Sequence, residues 1–135
     1  MLVNLAQIRQ LLATSRTVAV VGLSPKESRP SNMVARYLVN AGFHVVPVNP
    51  GQETILGLPC YPDLAAIPEP VEIVDIFRRA EEVGPVVDEA IRLGARAVWM
   101  QEGIVNEAAA AKARAAGLIV VMDRCIKTDH QRLLE

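Results

Sequence analysis

Short, mostly apolar runs alternate along the chain with longer segments in which apolar residues recur every three or four positions. The runs cover residues 17–22, 43–48, 71–77, 96–100 and 118–122. A short continuous apolar run predicts a strand that is buried on both faces, whereas the longer spacing predicts an amphipathic helix. The pattern therefore predicts five strands that are separated by helices and loops.

Capping residues and glycines set the ends of the predicted helices. These are an opening helix around residues 5–12, a helix from Ser31 to Ala41 with Ser31 as its N-cap, a single turn at 63–67, a helix at 83–91 that ends at Gly94, and a helix at 107–116 capped by Asn106. A short extended piece is expected at 58–60. Pro47 cannot donate to a neighbouring strand, so it should lie near a strand end or where the missing donor does no harm.

Strands that alternate with helices of this length require right-handed crossover connections and a parallel sheet. We therefore predict an α/β fold: a single Rossmann-like, doubly wound domain over residues 1–135, with a mainly parallel sheet of about five strands flanked by helices. In such sheets ligands bind beyond the carboxyl ends of the strands. The loops after Val21, Val48, Phe77 and Trp99 are the ones expected to form a site.

Composition narrows the class of partner. The formal net charge is −1, which supplies no cationic field for a nucleic acid, although a few local basic groups can still hold a small anion. No window of 18 apolar residues occurs, and the first 16 residues lack a signal-peptide pattern. We therefore expect a cytoplasmic protein with no nucleic-acid partner and no membrane segment. Its two cysteines are expected to be free thiols.

The loop after the first strand combines a glycine with hydroxyl and basic side chains. Gly22 would allow backbone to approach a ligand closely, Ser24 and Ser31 offer hydroxyls, and Lys26 and Arg29 offer positive charge. A helix begins directly after them, and the N-terminus of a helix attracts anions. The loop predicts a phosphate site, although an ordinary polar surface loop is the alternative.

The second strand ends in Asn49 and Pro50, where a NAD-binding domain carries an acidic residue for the ribose. The chain also lacks the G-x-G-x-x-G fingerprint, so NAD is disfavoured. Asn49 and Pro50 would frame the edge of an adenine ring or simply form a turn.

Aromatic, basic and small residues follow the third and fourth strands. Phe77 and Arg78 suit stacking on a base and pairing with an anion. Gly103 would permit close backbone approach, and Gln101 would hydrogen-bond a ligand. The alternative is a core phenylalanine followed by solvated arginines.

Cys125, Lys127 and His130 lie close together in the C-terminal tail. A nucleophile or a metal ligand would be one interpretation. No second histidine or carboxylate cluster completes a ligand set, so Cys125 is expected to be a packing residue. We assign no catalytic residue and no metal site from the sequence.

Several of these segments, taken in order from Arg16 to His130, resemble a known family. The segments are VAVVGLS at 18–24, RPS at 29–31, HVVPVNP at 44–50, VDIFR at 74–78, WMQEG at 99–103 and MDRC at 122–125. They look like the small stand-alone CoA-binding proteins, which are similar to the N-terminal domain of the succinyl-CoA synthetase α subunit. The resemblance implies a CoA or acyl-CoA site in which Gly22 and Ser24 meet phosphates, the Asn49–Pro50 loop flanks the adenosine, and Phe77 and the segment from Gln101 to Ile104 line the remainder. The ligase activity of the synthetase needs a histidine in a second domain and is not expected here.

Two other classes of function remain open at this stage. The resemblance favours a CoA-binding protein without evident catalytic machinery, acting as a carrier, sensor or regulatory module. One alternative is an NADP-dependent or other nucleotide-dependent enzyme, with Lys26 or Arg29 on the 2′-phosphate and Cys125 or His130 in the chemistry. The other is a protein-interaction subunit with a vestigial pocket.

Overall fold

The computed structural model describes residues 3–135. Its helices are α1 (Leu5–Thr14), α2 (Pro30–Asn40), α3 (Val83–Leu93), α4 (Glu107–Ala115) and α5 (Ile126–Leu134). Its strands are β1 (Thr17–Val21), β2 (His44–Val48), β3 (Thr54–Ile55), β4 (Leu58–Pro59), β5 (Ile73–Ile76), β6 (Ala97–Met100) and β7 (Ile119–Val121). Single 3-10 turns lie at Leu64–Ala66 and Ala80–Glu82.

Five strands form one parallel sheet in the order β2-β1-β5-β6-β7, which confirms the predicted α/β, Rossmann-like architecture. From β1 the chain first adds β2 on one side and then crosses to add β5 on the other. Val21, at the carboxyl end of β1, is aligned with Val48 in β2 and with Ile76 in β5. The switch point of the sheet, where connections leave toward opposite faces, therefore lies between β1 and β5.

Successive strand residues pack into two different core layers. Ala19 and Val74 belong to the layer covered by α3 and α4. Val18 and Ile73 belong to the layer covered by α1, α2 and α5. Both faces of the sheet are thus covered, which explains why the strands appear in the sequence as continuous apolar runs.

Pro47 occupies the position predicted for it. It lies in β2 at the edge of the sheet, and its carbonyl accepts from the Tyr61 amide at 3.0 Å. Because the nitrogen and carbonyl of one strand residue point the same way, the Pro47 nitrogen faces away from β1. No ladder hydrogen bond to β1 is lost.

The structure corrects one helix start and adds two elements that the pattern did not predict. Ser31 is not the N-cap of α2, because Arg29 holds that position and Pro30 begins the helix. Proline suits the first helical position, where its missing N–H costs nothing. The additional elements are strand β3, which pairs with β4 in a hairpin, and the C-terminal helix α5. The expected extended piece at 58–60 is the strand β4 of that hairpin.

Candidate functional site

The loop after β1, residues 22–29, is folded onto the N-terminus of α2. The Ser24 amide donates to Ser31 Oγ at 2.9 Å, and the Lys26 amide donates to Ser24 Oγ at 3.1 Å. The Arg29 amide donates to the Lys26 carbonyl at 3.1 Å. Ser31 is buried, whereas the side chains of Lys26 and Arg29 are exposed. The serine hydroxyls therefore shape the loop, and the two cations project from its surface.

Asn32 belongs to the same loop and helix junction but was not predicted from the sequence. Its side chain is 1% exposed, and its Nδ2 donates to the Ser24 carbonyl at 2.9 Å. Its Oδ1 is buried without a hydrogen-bond partner among residues 3–135. The only sequence signal was an asparagine in the first turn of a helix that faces the sheet.

Asn49 ties the loop after β2 to the β1 loop. Its Nδ2 donates to the Leu23 carbonyl at 2.9 Å, and its Oδ1 accepts from the Gly51 amide at 2.8 Å. Both polar atoms of the side chain are thus engaged with backbone, which agrees with the turn interpretation of Asn49. Pro50 follows it as an exposed residue.

Gly22 meets protein backbone at the switch point. Its φ is +84°, and a Cβ at this position would overlap the carbonyl oxygen of Phe77. The Gly22 amide donates to the Val48 carbonyl at 2.9 Å, and the Phe77 amide donates to the Val21 carbonyl at 2.8 Å. Glycine is required here because the loops after β1, β2 and β5 meet at this point. The absence of a side chain at Gly22 lets the Phe77 backbone pack closely against it.

A groove of about 470 Å³ runs between the loops after β5 and β6. It is lined by Phe77, Arg78, Arg79, Ala80, Glu81, Glu102, Gly103 and Ile104. Four of the predicted ligand residues, Phe77, Arg78, Gly103 and Ile104, therefore lie together along one surface. Gly103 has a φ of +85°, and a Cβ there would meet no atom within 4 Å.

Gln101 does not line this groove. It is 4% exposed, and its Oε1 accepts from the amide of Ile126 at 3.2 Å. That amide is the first one of α5, so Gln101 satisfies one of the unpaired donors at the start of the helix. Its side chain holds α5 against the end of β6.

The loop after β7 leads into α5 through a fixed ion pair. Arg124 donates to both carboxylate oxygens of Asp129, at 2.7 and 2.8 Å. This hydrogen bonding raises the pKa of Arg124, whose guanidinium stays charged. Asp123 adopts a φ of +58° and its Oδ1 accepts from the Gly103 amide at 2.6 Å, which joins this loop to the groove.

A smaller cavity of about 170 Å³ opens beside the ion pair. It is lined by Glu102, Asp123, Arg124, Cys125, Thr128, Asp129 and Arg132. Glu102 lines this cavity and the groove as well, so the two spaces adjoin. Cys125 therefore faces the carboxyl edge of the sheet.

Asp75 is the most unusual titratable residue of the structure. It lies within β5, is fully buried, and neither of its carboxyl oxygens has a hydrogen-bond partner among residues 3–135. Burial raises its pKa well above the usual value, and the charge of the Cys125 thiolate raises it further. The sequence signal was a single carboxylate inside the apolar run 71–77, and no role was assigned to it.

His130 does not join Cys125. Its Nδ1 lies 2.5 Å from Tyr37 Oη, and its ring packs edge-on against Phe43. Together with Phe43 it lines a separate cavity of about 460 Å³, formed with residues 12–16 near the amino ends of the strands. Cys125 and His130, which lie close together in the sequence, therefore line different cavities. Within residues 3–135 there is no group of three metal-ligating side chains.

The parallel five-stranded sheet with helices on both faces defines a Rossmann-like class of α/β domain. The model of the CoA binding domain family matches residues 16–131, and the chain belongs to that family. Small relatives support the same assignment. Uncharacterized protein YneT of Bacillus subtilis is 39% identical over 125 residues, which are 93% of each protein.

Solved structures and a larger enzyme extend the comparison. A hypothetical protein from Pyrococcus horikoshii has a TM-score of 0.96 and 41% identity, over 98% of this chain and 94% of that one. Acetate–CoA ligase [ADP-forming] I of Archaeoglobus fulgidus is 40% identical over 77 residues, which are 57% of this chain and 11% of the ligase. The resemblance to stand-alone CoA-binding proteins and to a synthetase domain is thereby confirmed. Within residues 3–135 no helix is long and apolar enough to cross a membrane.

Proposed function

We propose that this protein binds coenzyme A or an acyl-CoA at the carboxyl edge of its sheet and serves as a carrier, sensor or regulatory module. The observation that carries the proposal is the β1 loop. It lies at the switch point, is folded onto the N-terminus of α2, and leaves Lys26 and Arg29 exposed. A helix N-terminus flanked by two cations favours phosphate.

The groove beside the β1 loop suits the rest of such a ligand. Phe77 and Ile104 provide apolar contact, Arg78 provides charge, and Gly103 leaves its backbone accessible. We assign direct ligand contact to these four residues and to Lys26 and Arg29.

The other predicted residues act by holding the loops. Ser24 and Ser31 close the β1 loop, Asn49 joins it to the β2 loop with Pro50 beside it, and Gly22 admits the Phe77 backbone. Gln101 positions α5. We expect substitutions of these residues to change affinity through the shape of the site.

Complete ligase activity is not part of the proposal. The matched segment is 11% of the Archaeoglobus ligase. We also propose a cytoplasmic location. Cys60 and Cys125 are free thiols, and free thiols persist in a reducing compartment.

Thermal unfolding with a panel of ligands tests the proposal. A ligand that binds only the folded protein stabilises it by about 2.7 kcal/mol at 100 times its Kd, so the preferred ligand gives the largest rise in Tm. We expect CoA and acetyl-CoA to raise the Tm and NADP⁺ to raise it less. A larger rise with NADP⁺ would favour the nucleotide-dependent enzyme, and no response at millimolar concentration would favour a vestigial pocket.

A further inference from the structure

The turn that forms one wall of the groove has a defined geometry. Residues 101–104 make a β-turn in which the Ile104 amide donates to the Gln101 carbonyl at 2.9 Å. Gly103, the third residue of the turn, has a φ of +85°, whereas the φ of Glu102 is negative. A negative φ followed by a positive φ defines a type II turn, while a type I turn needs a negative φ at both positions. The two types differ by a flip of the central peptide, which here joins Glu102 to Gly103.

Asp123 fixes the orientation of that peptide. Its Oδ1 accepts from the Gly103 amide at 2.6 Å. The N–H and the C=O of a trans peptide point in opposite directions, so the Glu102 carbonyl points away from Asp123. After a flip to the type I turn, the Asp123 carboxylate would lose its donor and would face a second acceptor, the Glu102 carbonyl. The carboxylate therefore favours the type II turn.

The backbone of Asp123 adopts an uncommon conformation where it makes this contact. Its φ is +58°, in the left-handed region that few residues with side chains adopt and that aspartate tolerates better than most. The residues on each side of it are tied to β6. Val121 is aligned with Trp99, and Trp99 Nε1 donates to the Arg124 carbonyl at 2.8 Å. Asp123 is thus held between two fixed points, with its carboxylate on the 101–104 turn.

The turn and Asp123 occupy different positions relative to the groove. The turn contributes Glu102, Gly103 and Ile104 to the groove lining. Asp123 lines the adjoining cavity of about 170 Å³ instead. A ligand in the groove would therefore meet the turn, and Asp123 would act on that ligand only through the backbone of the turn.

We propose that Asp123 is a positioning residue, which holds the 101–104 turn in its type II form so that the groove is set before the ligand binds. This inference rests on the proposed function, because the ligand is CoA or an acyl-CoA. A preformed wall spares the ligand the cost of ordering it. Loss of the contact therefore lowers affinity without removing any group that touches the ligand.

The variant Asp123→Gly tests the positioning role. Glycine adopts a left-handed backbone without steric cost, so the chain keeps its path and loses the carboxylate. We expect the Kd for CoA, measured by calorimetry, to rise about tenfold, which corresponds to the loss of one hydrogen bond to a charged group. The Tm should stay close to that of the wild type, because relief of the backbone strain offsets the lost hydrogen bond.

Asp123→Asn and Asp63→Gly are the matched controls. Asparagine also tolerates the left-handed backbone and its Oδ1 accepts hydrogen bonds, so Asp123→Asn should keep the wild-type Kd to within about threefold. Asp63 is likewise exposed, and its carboxylate accepts from the Ala66 amide at 3.0 Å, outside the groove. Asp63→Gly should leave the Kd unchanged. Equal losses of affinity in Asp123→Asn and Asp123→Gly would overturn the inference, because asparagine keeps the acceptor.

Hydrogen exchange of the Gly103 amide, followed by NMR in the free protein, reports on the turn itself. Exchange at Gly103 should be slow in the wild type and in Asp123→Asn, and faster in Asp123→Gly with the other amides unchanged. An unchanged rate at Gly103 in Asp123→Gly would overturn the inference. Faster exchange throughout the chain would show a general loss of stability and would overturn it as well.

Titration of the wild type with CoA separates this inference from the proposed function. CoA binding by the wild type, with an unchanged Kd in Asp123→Gly, would overturn the positioning role and leave the proposed function standing. No CoA binding by the wild type would overturn the proposed function and the inference with it.

Discussion

Arg29 is the residue whose charge is most directly available to a phosphate, because its side chain is exposed at the N-cap of α2. We expect Arg29→Ala to weaken the binding of CoA by about 1.5 to 3 kcal/mol, which is the usual contribution of a hydrogen bond to a charged group. We further propose that Arg29 contacts the 3′-phosphate of CoA, so the same substitution should weaken the binding of dephospho-CoA less. Calorimetric Kd values for both ligands check this.

Arg92 gives a matched control for that measurement. It is exposed in the last turn of α3, outside the groove and the β1 loop. Arg92→Ala removes the same charge and should leave both affinities unchanged. Equal losses for CoA and dephospho-CoA in Arg29→Ala would show that Arg29 does not contact the 3′-phosphate.

Asp75 makes stability depend on pH. Its pKa in the folded protein is raised well above the unfolded value of about 3.9. The folded state therefore holds this proton more tightly, and the free energy of unfolding falls as the pH rises from about 4 through the raised pKa. The substitution Asp75→Asn should remove this part of the pH dependence. At alkaline pH, the variant should therefore unfold at a higher urea concentration than the wild type.

Urea unfolding of the wild type and Asp75→Asn, at several pH values, checks the expectation. The two proteins should converge at low pH, where Asp75 carries its proton in both states. A constant difference across the whole range would contradict the raised pKa.

At the scale of elements, the loops after β1 and β5 pack together only because the backbone of Phe77 can lie close to Gly22. A left-handed backbone costs a residue with a side chain about 1–2 kcal/mol, and at Gly22 the added Cβ would also overlap the Phe77 carbonyl. Gly22→Ala should therefore lower the free energy of unfolding by more than that cost. Denaturant unfolding measures it.

Gly42→Ala is the control that separates the cost of the steric overlap from the cost of the left-handed backbone. Gly42 has a φ of +99°, and a Cβ there meets no atom within 4 Å. Gly42→Ala should therefore lower the free energy of unfolding only by the cost of the left-handed backbone conformation. Equal losses in the two variants would show that the β1 and β5 loops do not need glycine for their contact.

The elements that the sequence predicted are those with a strong apolar pattern. All five strands of the sheet follow from continuous apolar runs. Helix α5 has no such pattern, because its buried residues are Ile126 and Asp129, and the latter is a carboxylate paired with Arg124. The β3–β4 hairpin has two-residue strands, and its turn uses Leu56 at a φ of +57°, where glycine or asparagine would have been the recognisable signal.

At the scale of the whole molecule, the topology determines where the candidate site lies. The position of the β1, β2, β5 and β6 loops at one edge could be predicted from alternating strands and helices alone. Contacts between residues far apart in the sequence could not be predicted in this way. The packing of Gly22 against Phe77 and the hydrogen bond between Gln101 and Ile126 are therefore seen only in the structure. Asp75 was missed for the same reason, since its lack of partners depends on what packs against β5.

A crystal structure of the protein with CoA tests the central claim most directly. We predict phosphate density beside Lys26 and Arg29 at the N-terminus of α2, with the ligand extending along the groove between Phe77 and Ile104. Density for CoA in the separate cavity lined by Phe43 and His130, with the carboxyl-edge loops empty, would contradict the account.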